Sequence, residues 1–153
     1  MTQYLFYPQT LNQFLDWDDP TIWYGGVVPD APDADVLIGP IYQSVTGQIY
    51  DYFLSINSGE SFAVNAVVLS ENYFSLYGTL DVASAFSIGT AGELDMYGGT
   101  LSAATLGNSG IDIQGDGSIT TTGLFTNTGS VVGSGLSMDL AGLQNTGALI
   151  AVQ

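Results

Sequence analysis

The segment Leu106-Gly107-Asn108-Ser109-Gly110 returns as Phe125-Thr126-Asn127-Thr128-Gly129 and again as Leu143-Gln144-Asn145-Thr146-Gly147. A weaker copy, Ile88-Gly89-Thr90-Ala91-Gly92, precedes them. The Asn/Thr position therefore falls at Asn72, Thr90, Asn108, Asn127 and Asn145, in steps of 18, 18, 19 and 18 residues. A second series, Gly99, Gly117 and Gly135, advances by 18 and 18. Two landmarks that share one period mark a repeated structural unit.

Between these phrases lie short runs such as Thr100–Ala103, Ile111–Gln114, Ser130–Val132 and Leu136–Leu140. Glycine interrupts them too often for a helix, where it is costly. They suit strands of a few residues between tight turns. A repeat of 18 residues then makes one coil of three short strands and three corners. Stacked coils pair their strands in parallel and bury the inward side chains in a continuous core. Asparagine at one repeated corner can ladder its amide along the stack and satisfy corner backbone groups. The expected fold is all-β, a single-domain parallel β-solenoid (β-helix) of about 18 residues per coil. A β-sandwich supplies no reason for a fixed period.

The composition removes whole classes of function. The chain has 153 residues, 15 Asp+Glu and no Lys, Arg or His, where an ordinary domain carries both signs. Nucleic-acid binding needs bases on phosphates, and anionic membrane surfaces need them too. Without His or Cys there is no Ser–His or Cys–His nucleophile and no His/Cys zinc site. Carboxylate chemistry, Ca²⁺ binding and structural roles remain. No run approaches 18 apolar residues, so no membrane insertion is expected. The first residues carry no positively charged side chain, so no ordinary secretory signal is expected among them, and such a segment has been removed or export takes another route. The lack of trypsin-type cleavage sites suits an extracellular or cell-surface protein.

Residues 1–15 form an apolar arm, with Tyr4-Leu5-Phe6-Tyr7 reading as a strand apolar on both faces. Residues 16–40 read as a cap and first coil, 41–77 as irregular coils, and 78–153 as regular coils. Of the 18 aromatic residues, 15 lie in residues 1–77, which makes the N-terminal cap aromatic-rich. Asn57-Ser58-Gly59 reads as an early copy of the corner phrase. In the cap, Trp17 is followed by Trp23, Gly25, Gly26, Pro29, Asp35, Val36 and Ile38. This stretch resembles the opening of secreted bacterial β-solenoids, the autotransporter passengers and related surface adhesins, in its W-x-G-G-x-x-P run and in the Asp and V-x-I that follow, here with five residues between Pro29 and Asp35. The resemblance implies a β-helix exposed on a bacterial surface, and is nearly silent on activity. Physically, Gly25 and Gly26 permit positive φ, the prolines stiffen the connection, and the tryptophans cover the core end.

Several side-chain groups invite a chemical reading. Asp81, Asp95, Asp112, Asp116 and Asp139 could line one face and supply a glycosidase acid and base. They read more simply as solubilising outward positions. Asp16, Asp18 and Asp19, and separately Asp30, Asp33 and Asp35, offer oxygen ligands for Ca²⁺, although neither an EF-hand loop nor a calcium β-roll repeat is present. They read more simply as turn and cap residues, and no cofactor is expected, Ca²⁺ being the one candidate. A glycan partner is consistent with the exposed Tyr and Trp.

The ends of the chain carry the functional expectation. Gly147 to Gln153 supplies 7 residues of a coil that needs 18, and all but Gln153 are small or apolar. The expected protein is non-enzymatic: a subunit of a secreted homopolymeric fibre whose partners are other copies of itself, head to tail. The joint would use Tyr4, Leu5, Phe6 and Tyr7 of one copy and Ala148, Leu149, Ile150, Ala151 and Val152 of the next, by strand addition. Alternatively the arm folds back over its own first coils. A carbohydrate-binding adhesin module is the rival class, and a polysaccharide-active enzyme the third.

Overall fold

The computed structural model describes residues 1–8, 14–39 and 52–151. Its strands are β1 (Thr2–Leu5), β2 (Phe14–Asp16), β3 (Ala31–Ile38), β4 (Phe53–Ile56), β5 (Ser61–Leu76), β6 (Thr79–Asn108), β7 (Asp112–Asn127), β8 (Ser130–Asn145) and β9 (Ala148–Ala151). Every strand pair is parallel, in the order β1-β3-β5-β6-β7-β8-β9, with β2 and β4 joining through β5. A single 3₁₀ turn, Pro20–Ile22, is the only helical piece among the described residues. The chain is a parallel β-solenoid.

Long strands such as β6 replace the short strands expected because pairing continues around the corners. Register shifts mark the bends: Gly115/Asp116 and Thr121/Leu124 between β7 and β8, and Tyr97/Gly99 and Ala103/Leu106 between β6 and β7. They divide the coil into three faces. The first carries β2, β4, the ends of β5 around Phe74, then Leu94, Ile113, Val131 and β9. The second runs through Leu101 and Ile119, and the third through Phe86, Leu106 and Phe125. Coil length is not uniform: Phe74, Leu94, Ile113 and Val131 stack at offsets of 20, 19 and 18 residues. The 18-residue period thus belongs to the final coils, and earlier ones are longer at their corners.

Inward positions are apolar on all faces and meet along the axis. Phe74, Phe86, Leu94, Leu101, Ile113, Ile119 and Phe125 are fully buried. The core is closed at the N-terminal pole by two indoles. Trp17 and Trp23 pack edge to face at 4.9 Å, and Trp17 also lies against Phe62 and Phe74. Each indole N–H is satisfied, Trp17 Nε1 donating to Pro29 O at 3.0 Å and Trp23 Nε1 to Trp17 O at 2.8 Å. Gly25 and Gly26 make the turn beyond at φ 89° and 70°, as a Cβ there would be strained. Asp35 accepts from the Asn65 amide at 2.6 Å, while Val36 and Ile38 are buried.

Of the two placements open to the arm, its strand takes the one that folds back on its own chain. Thr2–Leu5 pairs with Ala34–Leu37, and the Phe6 N–H donates to Leu37 O at 3.0 Å. Phe6 is buried edge-on against Trp23 and Tyr52. An aromatic side chain that completes the cap gains more by folding back than by remaining free. Gln9 and Leu11 of the arm, the coils assigned to residues 41–51, and Val152 lie outside the described residues.

Candidate functional site

The repeated corner is built from two ladders. Asn108 Nδ2 donates to Asn127 Oδ1 at 2.8 Å, and Asn127 Nδ2 donates to Asn145 Oδ1 at 2.7 Å. The same amides reach backbone: Asn108 donates to Ser130 O and accepts from Gly110 N, both at 3.0 Å. Asn108 and Asn127 are buried, so this network satisfies groups that no strand partner reaches. Beside it runs a glycine ladder that the sequence reading did not separate from the phrase. A Cβ on Gly110 would strike the Gly92 carbonyl, one on Gly129 that of Gly110, and one on Gly147 that of Gly129. Close backbone approach, not positive φ, demands glycine there.

Asn72 and Thr90 stand off this row. Asn72 stacks on Gly92, not Thr90. At φ 79° it turns its own corner, accepting from Tyr52 N at 3.0 Å and donating to Gly39 O at 2.9 Å. Thr90 is exposed, and the Ser109 N–H donates to Ile88 O, which puts Ile88 beneath Asn108. The corner from Ile88 to Gly92 holds two more residues than the later ones, so equal sequence steps do not align these positions. Asn57 occupies another corner, where its N–H and that of Glu60 bond reciprocally at 2.7 and 3.1 Å. The second glycine series also breaks: Gly99 faces Gly117, but Gly117 faces Leu136 and Gly135 faces Asp116.

The two groups of residues expected at a joint lie at opposite poles. β1 ends the sheet at one pole and β9 at the other. Ala148–Ala151 is exposed throughout. At that pole Leu143 and Leu149 are each 47% exposed, although they stand in register with Phe125 and Val131, which are 0% and 4% exposed. Leu136, Met138 and Leu140 are partly covered. The opposite pole is closed by indoles and carries Asp16, Asp18, Asp19, Asp30, Asp33 and Asp35.

These acids serve the cap. Asp19 accepts from Thr21 N and Oγ1, which lowers its pKa; Asp30 accepts from Ala63 N at 3.0 Å; Asp16 accepts from Ser55 Oγ at 2.9 Å and Asn57 Nδ2 at 3.1 Å. The Met1 ammonium lies 3.9 Å from Asp33 in an exposed ion pair, a contact of small energy. No group of three or more His, Cys, Asp or Glu among the described residues is disposed to hold a metal.

On the first face the outward positions form three columns along the axis. The middle one is Asp16, Ser55, Ser75, Asp95 and Gln114. To one side Phe14, Phe53 and Tyr73 stack at 5.1 and 4.6 Å. To the other Tyr77 and Tyr97 stack at 4.8 Å. Serines between aromatic columns leave a trough of 500 Å³ lined by Phe14, Phe53, Ser55, Ser75, Tyr77 and Tyr97, with Asp16 and Asp95 also on its lining.

Just beyond it Gln114 Nε2 donates to Glu93 and to Asp95, each at 2.7 Å. Burial raises both acids, the Asp95 and Asp112 charges raise Glu93 further, and Asp112 also raises Asp95. The Asp95 charge raises the Tyr97 phenol above its ordinary value. Of the acids proposed to line one face, Asp95 and Asp112 do share this one. Asp116 faces Tyr97 at the corner, whereas Asp81 and Asp139 stand on the second face opposite Ala63 and Thr120.

By fold the chain is an acidic parallel β-solenoid whose described residues are plugged by two indoles at one pole and leave Leu143 and Leu149 half exposed at the other. Compared with known families, characterised proteins and solved structures, it matches none.

Proposed function

We propose that the protein is a non-enzymatic structural subunit of an extracellular homopolymeric fibre, assembled head to tail through the ends of the solenoid. The observation that carries this reading is the apolar row at the pole of β9, where Leu143 and Leu149, each 47% exposed, repeat positions that are buried one coil earlier. Burying such a row is worth about 25 cal/mol per Å² of apolar surface. An open parallel sheet accepts a further coil by the same pairing that holds its own coils together. Coaxial stacking brings β2 of one copy over β9 of the next, and β1 over Leu143–Asn145, because those strands occupy the same faces. The arm then joins through its outer edge at Thr2–Tyr4, as Phe6 is engaged in its own cap. Such a joint is heterologous and grows an open filament. The lack of basic residues and the Trp-Gly-Gly-Pro opening support a secreted, surface-associated setting.

Electron microscopy of the purified 153-residue chain is expected to show unbranched filaments one solenoid wide. The double substitution Leu143→Asp with Leu149→Asp places charge on two exposed positions and should leave folded, unassembled particles. Monodisperse wild-type particles at every concentration would overturn the reading in favour of a solitary binding module.

A further inference from the structure

On the trough of the first face Phe14, Tyr77 and Tyr97 are 71%, 43% and 48% exposed. We propose that the trough binds a linear, uncharged, hydroxyl-rich glycan laid along the solenoid axis. Asp16 and Asp95 stand three strand spacings apart across Ser55 and Ser75, about 14 Å at ordinary sheet spacing. The aromatic columns lie two residues to either side, about 7 Å along each strand. The result is a straight channel with a small-residue floor, and its 500 Å³ falls in the ordinary range for ligand sites.

The chemistry of the lining selects the ligand. The rings of each column stack on one another along the axis, so their edges form apolar side walls against which the C–H groups of a pyranose chain can lie. Carboxylates, serine hydroxyls and the Asn57 side chain supply acceptors for its hydroxyls, and the protonated Tyr97 phenol supplies a donor. Charge decides which glycan. With no Lys, Arg or His in the chain, a uronate or sulfated sugar gains no counter-charge and meets Asp16 and Asp95. The Asp16 carboxylate is held in place by Ser55 and Asn57, and Asp95 by Gln114, so the ends of the channel are set before a ligand arrives. This assignment stands whether or not the poles polymerise.

Calorimetric titration of the full chain with neutral β-linked hexasaccharides (cello-, manno- and xylo-series), a galacturonate hexamer and hexalysine tests it. At least one neutral series should bind with little response to added salt, and the galacturonate should not. Tyr97→Ala, and Ser75→Tyr, which fills the floor, should each weaken binding about tenfold or more. Tyr24→Ala, at a 70% exposed aromatic in the cap, should leave it unchanged. Circular dichroism verifies that each variant is folded, and filament formation by Tyr97→Ala separates this site from the joint. The proposal is overturned if no neutral series binds, if binding survives both trough variants, or if hexalysine binds in preference and salt abolishes it.

Discussion

At the scale of single residues, the corner glycines carry a sharper constraint than the asparagines that first reveal them. Gly129→Ala drives a methyl into the Gly110 carbonyl, and backbone cannot yield as a side chain can. Overpacking costs about 1–3 kcal/mol, and urea denaturation should place this variant at the upper end. Gly142→Ala is the contrast, because its Cβ would meet Leu124 Cδ1 at an ordinary 3.5 Å; it should be neutral or stabilising by about 0.5 kcal/mol. Asp95 gives a second residue-scale test. Burial raises its pKa above the ordinary 3.8, and Glu93 is raised above 4.5. The folded state therefore holds protons that the unfolded state has released, and stability falls as pH rises through the raised values. Melting temperature should climb as pH drops from neutral toward those ordinary values, opposite to common acid denaturation. Asp95→Asn keeps an acceptor for Gln114, and should melt higher at neutral pH with a flatter profile.

At the scale of elements, the cap is one unit and the corner row another. Trp17→Ala empties a fully buried position against Trp23, Phe62 and Phe74. A loss of about 3–5 kcal/mol is expected in urea denaturation, with the N-terminal aromatic signal lost before the glycine-rich coils unfold. The corner is legible in the sequence because Asn108, Asn127 and Asn145 each precede a turn glycine, and the same backbone need recurs once per coil. Asn72 and Thr90 mislead because a coil can lengthen at its corner without changing the count between look-alike residues. The cap is legible through its tryptophans and paired glycines. The arm is not, since a short apolar strand reads alike whether it folds back or docks elsewhere. The trough is also hidden: β2, β4, β5 and β6 each lend it one or more residues, and no local pattern places Ser55 opposite Ser75.

At the scale of the molecule, a formal charge of −15 opposes every contact between copies at neutral pH. Six of the acids lie in residues 16–35, at the pole that a head-to-tail joint must cover. Acid or millimolar Ca²⁺ should therefore promote association and lateral bundling by neutralising or bridging carboxylates. Light scattering should rise as pH falls from 7 to 4, and at neutral pH on Ca²⁺ addition; a flat response to both would count against charge as the control. The ladder order β5-β6-β7-β8-β9 also has a mechanical side. Each coil is held only by its neighbours, through hydrogen bonds that lie along the axis. A single molecule stretched from its two termini should yield by peeling one turn at a time from the pole of β9. Each turn of 18 residues between β8 and β9 or 19 between Asn108 and Asn127 frees about 60 Å of chain. Force spectroscopy should record evenly spaced low peaks before a larger one as the indole plug gives way.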